Sequence, residues 1–444
     1  MLKKTDNISN FEFVSWFRSS APYIHAFRNQ TFVISFGGEM LVDEQFSTLV
    51  HDIALLNSLG VQLVLVHGAR PQIEKRLQQQ NIQCYYEKDM RITDDVTLSI
   101  AIEAIGSNRV EIEALLSMGL ANSPMHGAAL RVVSGNMITA QPLGVQNGID
   151  FAHTGIVRSI DKDAILKQLT NNSMVLISPL GYSPTGEVFN LRSEDVAMSV
   201  AKSLQAEKLI YLTDVDGVVD KNSKLLHELT LTQAEEILKL NKSNSLSIEH
   251  NLNNAINACF NGVKRCHLIN RHIDGALLLE LFSRDGIGTL ITSELFEGTR
   301  QAHLDDIGGI LKIITPLEQQ GILVRRSREQ LELEIKHFII TERDGMVIAC
   351  ASLYPYLDEK VAELACLAVH PQYLNQSRGD TLLNYIEREA KHKNISRLFV
   401  LTTQSAHWFL ERKFKAAEYE DLPMKKRNLY NYQRNSKIFV KDLK

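Results

Sequence analysis

The alternation of continuous apolar runs with helical patterns between Thr31 and Thr292 most constrains how this chain folds. Apolar runs typical of buried strands lie at residues 31–36, 61–66, 174–178 and 208–212. Strands that are apolar throughout are typical of a mostly parallel sheet with helices on both faces. Ligands bind such sheets at the carboxyl ends of the strands, so the loops after residues 36, 66, 178 and 212 are the candidate binding loops.

The pattern changes after a polar stretch at residues 294–305, which we interpret as a linker between two domains. Further along, Asp344-Gly345 lies between two apolar runs and predicts a β-hairpin turn. We therefore predict an α/β domain at residues 1–295, with an open and mostly parallel sheet, and an α+β domain at residues 296–444.

Composition and charge exclude several classes of protein. The 444 residues carry a net charge of −4, and 44% are apolar and 23% charged, which is typical of a globular protein. This balance gives no reason to expect a nucleic-acid partner, and no run approaches the ~18 consecutive apolar residues of a membrane span. The N-terminus lacks a secretory pattern, and the five cysteines include no CxxC pair, so we expect a cytoplasmic protein without a disulfide framework or a metal site.

An amphipathic helix is predicted at residues 9–21, and Pro22 marks its end. Ser9 begins a capping-box pattern, and Phe13 and Phe17 lie on one face. Two interpretations of the apolar face remain open: it packs against its own domain, or it meets a second copy of the chain.

Two glycine-containing segments follow predicted strands: Gly37-Gly38 and the HGARP segment that begins at His67. Glycine lets a backbone approach a phosphate closely, and the next helix presents its N-terminus, but each segment alone is equally an ordinary turn. Together with LTDVDGV at Leu212, they resemble the amino-acid kinase family, most closely its N-acetylglutamate kinase branch, over residues 20–293. The resemblance implies that Arg91, in MRITD, holds a substrate carboxylate.

The departures from that family concern the groups that would bind ATP. Active relatives carry a lysine where this chain has Ser35, and three glycines where it has Gly68-Ala69-Arg70. Their Asn-x-Asn-Ala-Asp element is NLRSE here, at residues 190–194. Phosphoryl transfer needs charge neutralisation and close contact with the phosphates. We therefore predict a domain with a degenerate ATP site that binds a regulator instead.

A further set of residues resembles the effector site of the arginine-inhibited members of that branch. The resemblance implies that His267, Glu280 and Gly286 surround free L-arginine together with Tyr23. A carboxylate such as that of Glu280 pairs with a guanidinium through charge-assisted hydrogen bonds. Taken singly, His267 is equally a structural histidine and Glu280 a solvated helix residue. In those relatives the N-terminal helix also joins subunits into a hexamer, which implies a homo-oligomer here.

Residues 303–444 resemble the Gcn5-related acetyltransferase superfamily. The resemblance rests on CLAVHP, which begins at Cys366, and on GDTLL, which begins at Gly379. It implies a turn whose backbone N–H groups wrap the pyrophosphate of acetyl-CoA at a helix N-terminus. Ser377 replaces the first glycine of the superfamily motif, and Leu374 replaces its leading basic or amide residue.

The same resemblance implies how acetyl-CoA binds, as a co-substrate rather than a permanently bound cofactor. Arg378 is expected to supply the positive charge that the altered turn lacks, beside Gly379. Backbone groups of Leu367 and Val369 are expected to contact the pantetheine arm and to stabilise the oxyanion that forms at the thioester carbonyl.

An inactive kinase domain followed by an acetyltransferase domain resembles the bacterial-type N-acetylglutamate synthase family. The segments at residues 317–328, 407–409 and 430–437 agree with it. The resemblance implies acetyl transfer from acetyl-CoA to the α-amine of L-glutamate, as the first step of arginine biosynthesis under feedback by L-arginine. Two alternatives remain: a working N-acetylglutamate kinase and a non-catalytic arginine sensor.

The catalytic and substrate-binding groups are also implied by this resemblance. Glu363 is expected to be the general base, directly or through water, and Thr402 the donor to the leaving thiolate. Alternatively, Glu363 is a strand carboxylate paired with Lys360, Thr402 is a plain strand residue, and residues 425–427 are a solvated basic turn. The expected glutamate-binding residues are Arg326, Cys366, Lys426, Arg434 and Ser436.

Overall fold

The computed structural model describes residues 10–43, 45–118, 126–128, 130–240, 246–283, 285–293, 297–343, 345–374, 378–428, 430, 434 and 436–443. The chain divides into two compact units, Met1–Glu294 and Leu295–Lys444. Among the helices of the described ranges, none combines the length and the apolar character that crossing a lipid bilayer requires. Ser9, Asp344 and Ser377, which carry sequence predictions, lie outside the described residues, as does the side chain of Phe13.

The first unit alternates helices and strands. Its helices are α1 (Asn10–Phe27), α2 (Phe46–Ser58), α3 (Arg70–Gln79), α4 (Asp95–Leu116), α5 (Lys162–Thr170), α6 (Ser193–Leu204), α7 (Leu231–Lys239), α8 (Leu246–Phe260) and α9 (Ala276–Phe282). Its strands are β1 (Thr31–Phe36), β2 (Gln62–His67), β3 (Tyr86–Glu87), β4 (Met90–Arg91), β5 (Val132–Val133), β6 (Ile138–Pro142), β7 (Val145–Gln146), β8 (Ile149–Asp150), β9 (Gly155–Ile160), β10 (Met174–Ile177), β11 (Leu180–Tyr182), β12 (Val188–Asn190), β13 (Lys208–Thr213), β14 (Glu228–Thr230), β15 (Arg265–Asn270) and β16 (Thr289–Thr292).

The main sheet of this unit has the strand order β14-β16-β15-β13-β1-β2-β10-β5. Its neighbouring strands are parallel except β15 and β16. Val33 of β1 packs into the apolar core on one face, and Phe32 and Ile34 pack into the core on the other. A side sheet has the order β12-β11-β6-β9. The predicted open sheet with both faces covered is confirmed.

Helix α1 extends further than the sequence predicted. It continues through Pro22 to Phe27. A proline inside a helix removes one backbone hydrogen bond. Here the last turn is held by packing, because the ring of Phe27 lies edge-on to those of Phe32 (5.2 Å) and Phe282 (5.7 Å).

The second unit is a mixed sheet with helices. Its strands are β17 (Glu297–Gln301), β18 (Phe338–Arg343), β19 (Met346–Tyr356), β20 (Val361–Val369), β21 (Arg397–Thr402), β22 (Lys415–Ala417) and β23 (Lys437–Asp442). Its helices are α10 (Ile307–Gln319), α11 (Arg328–Glu334), α12 (Arg378–His392), α13 (Ala406–Glu411) and α14 (Met424–Arg427). The strand order is β17-β18-β19-β20-β21-β23-β22, and the described neighbours are antiparallel except β20 and β21. This confirms the predicted α+β domain.

The interpretation of residues 294–305 as a linker was partly wrong. Residues 297–301 form β17, which pairs with β18 from Glu297↔Arg343 to Gln301↔Ile339. The strand is polar because it lies at the edge of the sheet, and Arg300 is held there by Asp306 and Glu342. Apolar patterning therefore could not identify it.

Candidate active site and effector site

A cleft opens in the second unit where β20 and β21 separate. The two parallel strands pair from Val361↔Arg397 to Glu363↔Phe399. Beyond that point β20 continues to Val369 and β21 to Thr402. On the side of β20 towards β21, the described peptide groups past Glu363 therefore face the cleft, whereas on its other side β20 still pairs with β19. Glu363 lies at the point where the strands diverge.

A bulge reshapes β20 along this cleft. The pairing with β19 shifts between Cys350 and Ser352, and Cys366 has φ +53°, in the left-handed region. A bulge inserts an extra residue and redirects the neighbouring side chains. Leu367 packs towards the core beneath α12, whereas Cys366 packs into the core beside α10.

Glu363 is paired with Lys426. The Nζ atom of Lys426 lies 2.7 Å from Oε2 of Glu363, and the two side chains are 21% and 8% exposed. The carboxylate is thus not paired with Lys360, as the local alternative supposed, and Lys426 is not part of a solvated basic turn. The structure brings these two predicted site residues into direct contact.

Thr402 ends β21 on the other side of the cleft. Its Oγ1 accepts hydrogen bonds from the backbone N–H groups of Ser405 (3.0 Å) and Gln404 (3.4 Å). Thr402 pairs with Lys437 in the sheet, and Ser436 precedes that residue. The hydroxyl of Tyr430 donates to the Ser436 carbonyl at 2.8 Å and fixes the backbone there.

Arg326 and Arg434 form a second cationic group of the unit. An Nη atom of Arg434 donates to the carbonyl of Ile322 at 2.5 Å. Burial and the positive charge of Arg326 lower the pKa of Arg434. Two guanidinium groups that repel each other are stabilised by an anion between them. The pair is therefore suited to bind a carboxylate.

Tyr354 links this cationic group to the base, and sequence reasoning missed it. Tyr354 lies directly opposite Glu363 in the β19–β20 ladder, so both side chains point to the same face. Its hydroxyl donates to Oε2 of Glu334 at 2.5 Å. Burial lowers the pKa of Arg326, but its interactions with Cys366 and Tyr354 raise that pKa above its usual range. Only the register, which the sequence does not encode locally, identifies Tyr354.

The predicted coenzyme-binding residues lie at the start of α12 and along β20. Arg378 opens α12, and its guanidinium lies 5.5 Å from the centre of the Tyr373 ring. A side chain at Gly379 would approach the Trp408 ring to 3.0 Å, so glycine permits this contact. Leu367 and Val369 pack against the same core as α12.

Three of the predicted effector residues of the first unit, His267, Glu280 and Gly286, come together. Nδ1 of His267 lies 2.7 Å from Oε1 of Glu280, and both side chains are buried. Oε2 of Glu280 accepts the backbone N–H groups of Ile287 (2.7 Å) and Gly288 (2.9 Å). Tyr23, on α1, packs into the apolar core that contains Leu281 of α9.

Lys208 completes this cluster and was missed by sequence reasoning. Its Nζ lies 3.3 Å from Nε2 of His267 and 5.0 Å from the centre of the Phe27 ring. The available signal was a lysine at the start of an otherwise apolar strand. Hydrogen bonds from Lys208 to Nε2, and from Nδ1–H to Glu280, form a continuous chain through a neutral imidazole.

Electrostatics support this assignment of protons. Burial and the charge of Lys208 lower the pKa of His267 to about 4, against the effect of Glu280. Burial would raise the pKa of Glu280, but His267 and the two backbone N–H groups lower it to about 2. At neutral pH, Glu280 is therefore an anion and His267 is neutral.

A cavity of about 340 Å³ lies at the carboxyl ends of the central strands of the first unit. All four predicted binding loops contribute to it, through Gly37, Gly68, Pro179 and Thr213 among others. Burial and the nearby carboxylates of Asp214 and Glu194 raise the pKa of Glu39, which lines the same cavity.

Three side chains that line the cavity bear on its chemistry. Ser35 is buried at the position where a kinase would carry lysine. The carboxylate of Glu39 lies over Gly37, because a Cβ there would be 2.1 Å from Oε2. Arg91 is buried against Cys84 (2.8 Å) and Glu74 (3.5 Å).

Comparisons with known proteins cover both units. Residues 30–270 match the amino acid kinase family, and residues 310–414 match the acetyltransferase (GNAT) family. The chain is 52% identical over 440 residues to an amino-acid acetyltransferase of Photorhabdus laumondii subsp. laumondii, and the match covers 97% of each chain.

Solved structures of N-acetylglutamate synthase from Neisseria gonorrhoeae are also similar, at 39% identity over 97% of this chain and 99% of theirs. The complex with coenzyme A and L-arginine has a TM-score of 0.88, and the complex with coenzyme A and N-acetyl-glutamate has one of 0.62. These matches confirm both resemblances inferred from the sequence. The chain therefore belongs to the amino-acid acetyltransferase family and is an N-acetyltransferase with an amino acid kinase family domain and a GNAT domain.

Proposed function

We propose that the protein transfers an acetyl group from acetyl-CoA to the α-amine of L-glutamate, releasing CoA and N-acetyl-L-glutamate. The observation that carries this proposal is the buried carboxylate of Glu363 at the point where β20 and β21 separate. The similar gonococcal enzyme, in complex with coenzyme A and N-acetyl-glutamate, supports the choice of substrates. Acetyl-CoA is a co-substrate that leaves as CoA in each cycle.

Glu363 is the proposed general base. The α-amine of glutamate is mostly ammonium at neutral pH and cannot attack a thioester until it loses a proton. Glu363 takes that proton, and the amine nitrogen forms a bond to the acetyl carbonyl carbon. Backbone N–H groups of β20 at Leu367 and Val369 stabilise the resulting oxyanion. The C–S bond then breaks, and the electron pair leaves with the CoA sulfur.

Thr402 is the proposed donor to the leaving thiolate. Two backbone N–H groups donate to its Oγ1, which withdraws electron density from the oxygen and makes the hydroxyl a better acid. The hydroxyl is placed at the end of β21, across the cleft from β20. A proton from this position completes the formation of the CoA thiol. The second proton that the nitrogen loses as the tetrahedral intermediate collapses reprotonates the Thr402 oxygen, and Glu363 releases its proton to solvent.

The two carboxylates of glutamate need separate cations. Arg326, Arg434, Cys366 and Ser436 are proposed to bind one carboxylate, and Lys426 the other. Arg378 and the first turn of α12 at Gly379 are proposed to bind the pyrophosphate of acetyl-CoA, because a helix N-terminus favours anions.

We further propose that L-arginine binds at Tyr23, His267, Glu280 and Gly286 and inhibits the enzyme as the end product of the pathway. The buried anion Glu280 supports recognition of a guanidinium, and Lys208 supports recognition of a carboxylate. The similar gonococcal structure in complex with L-arginine is consistent with this ligand.

The first unit is proposed to have lost kinase activity. Ser35 supplies no charge to a phosphate, and the carboxylate of Glu39 over Gly37 would repel one. Formation of ADP from ATP and N-acetylglutamate by the purified protein would contradict this proposal. The absence of any acetyl transfer would favour a non-catalytic arginine sensor.

Glu363→Gln tests the acetyltransferase proposal. We expect it to lower the turnover of glutamate by about 10²–10⁴-fold, the usual contribution of a general base, while leaving the binding of acetyl-CoA unchanged. Release of the CoA thiol measures the rate, and calorimetry with acetyl-CoA measures binding. The matched control is Glu329→Gln, on the exposed surface of α11. Full activity of Glu363→Gln would remove Glu363 from the mechanism.

A further inference from the structure

The ion pair between Lys426 and Glu363 has a consequence for the order of events in catalysis. The proposed base is in contact with an ammonium group, at 2.7 Å. The ammonium group occupies the carboxylate oxygen with a charge-assisted hydrogen bond, so a second donor has less access to that oxygen. Glu363 must therefore lose this contact, or lengthen it, before Oε2 can accept a proton from the substrate.

The backbone that carries Lys426 is firmly placed. Leu422 is buried beside Phe399 of β21 and anchors the turn that leads into α14. The N–H of Met424 donates to the Glu359 carboxylate at 3.2 Å, and the N–H of Lys426 donates to the Pro423 carbonyl at 2.9 Å. The lysine side chain, with its long flexible stem, is the part of this turn that can change partner.

Tyr356 and Tyr354, two titratable groups on the same face of β19, do not compete for this pair, and the hydroxyl of Tyr354 donates to Glu334. Tyr356, on β19, is partly buried, and burial together with the charges of Glu363 and Glu359 raises its pKa to about 12. Tyr356 therefore stays protonated and neutral at working pH. The Glu359 carboxylate accepts the N–H of Met424, so Glu363 is the carboxylate that Lys426 contacts.

The substrate brings its own partner for Lys426. In an amino acid the α-carboxylate and the α-amine are attached to the same carbon atom. An amine placed to give its proton to Glu363 thus brings its α-carboxylate to the neighbourhood of Lys426. The Arg326 and Arg434 pair remains for the side-chain carboxylate.

We propose that Lys426 is a positioning residue that restrains Glu363 until the α-carboxylate of the substrate takes its ammonium group and frees the base. This inference rests on the proposed function of Glu363. It differs from simple carboxylate binding, because a restraint also slows substrates that cannot release it. Lys426 would then couple access to the base to the presence of a true amino acid.

Isoglutamine, in which an amide replaces the α-carboxylate of glutamate, distinguishes the two models. We expect Lys426→Met to lower the turnover of glutamate at least tenfold and to raise that of isoglutamine about tenfold above the parent, the effect of one charged hydrogen bond. Glutamine keeps its α-carboxylate, so Lys426→Met should lower its turnover as it lowers that of glutamate. Unchanged or lower turnover of isoglutamine would overturn the proposal and leave Lys426 as an ordinary ligand.

Three further variants separate the causes. Lys425→Met, at the exposed neighbouring lysine, should leave all three substrates unchanged. Lys426→Arg keeps the positive charge, so its turnover of isoglutamine should be as low as that of the parent. In the double variant Lys426→Met/Glu363→Gln, the raised turnover of isoglutamine should disappear, because the release of the restraint acts through Glu363. A gain that persists there contradicts the restraint, whereas full activity of Glu363→Gln alone would contradict the proposed base.

Discussion

Single residues set the shape of the proposed arginine site, and Gly286 does so through both space and backbone angle. Its φ of +60° lies in the left-handed region, and a Cβ there would be 2.5 Å from Oε2 of Glu280. The same oxygen accepts the N–H groups of Ile287 and Gly288. Any side chain at Gly286 must therefore displace the carboxylate that we expect to meet the guanidinium.

Gly286→Ala should weaken arginine inhibition by tenfold or more while leaving acetyl transfer without arginine near the parent rate. The loss of one charged hydrogen bond to the ligand is sufficient for this effect. Arginine titrations of CoA release and calorimetry with arginine measure it.

Gly275→Ala is the matched control for this variant. Gly275 has φ +70° and no atom within 4 Å of a Cβ, so alanine there carries the same backbone strain, about 1 kcal/mol, without the clash. An equal loss of arginine inhibition in both variants would show that strain, and not the displaced Glu280, is responsible.

At the scale of elements, α1 has two differently placed apolar surfaces. Tyr23 and Phe27 pack into the core of the first unit, whereas Trp16 is 49% and Phe17 56% exposed. Packing on its own unit is thus confirmed for the last turns of the helix, and contact with a second copy stays a prediction for the exposed part. We propose that the exposed part joins copies of the chain into the hexamer that the family resemblance implies, since large apolar side chains grouped on a surface are typical of interfaces.

Trp16→Glu should reduce the molecular mass in solution from a multiple of the 50.1 kDa chain towards a smaller assembly. A buried carboxylate without a partner opposes association by several kcal/mol. Light scattering after size exclusion measures the mass. Phe260→Glu, at an exposed aromatic residue of α8, is the control and should leave the mass unchanged. The same mass in Trp16→Glu as in the parent would rule out this helix as the interface.

At the scale of the whole molecule, sequence patterning predicted what depends on local composition. The central strands were predicted to within a residue or two because they are buried on both faces. Strand β17 was missed because its edge position lets it be polar. The Lys426–Glu363 and Lys208–His267 contacts join residues that are distant in sequence. Only the three-dimensional structure reveals them.

The stability of the first unit should depend on two buried histidines. His67 donates through Nδ1 to the Gly68 carbonyl (3.1 Å) and accepts from Ser178 through Nε2 (2.9 Å), as a neutral ring. Burial lowers the pKa of His67 to about 4. Burial and the charge of Lys208 lower the pKa of His267 to about 4 as well. Both values lie below the 6.5 of an exposed imidazole, so each contribution to stability is complete above pH 6.5 and is lost as the pH falls towards 4.

Between pH 6.5 and 4 the unfolded chain therefore binds two more protons at these histidines than the folded chain does. The free energy of unfolding should fall with decreasing pH by about 1.4 kcal/mol per pH unit for each of them. Asp52 opposes this trend, because burial and the charge of Asp274 raise its pKa to about 7 and its contribution is lost as the pH rises. Glu39, whose pKa is also raised, opposes the trend as well, whereas the lowered pKa values of Glu280, Asp94 and Asp195 act with the histidines. Acid should therefore destabilise the unit.

His67→Gln isolates one of these two contributions, since an amide in place of the imidazole does not titrate. The free energy of unfolding of His67→Gln should be lower than that of the parent at pH 7. It should change less steeply with pH between pH 6.5 and 4. Amide hydrogen exchange of peptides from β1 and β2, corrected for the intrinsic rates, measures the slope in each protein. His126→Gln, at an exposed histidine of the same unit, should keep the parent slope. Parallel slopes in the parent and His67→Gln would mean that His67 takes up its proton equally in the folded and unfolded chain, against the burial seen at the end of β2.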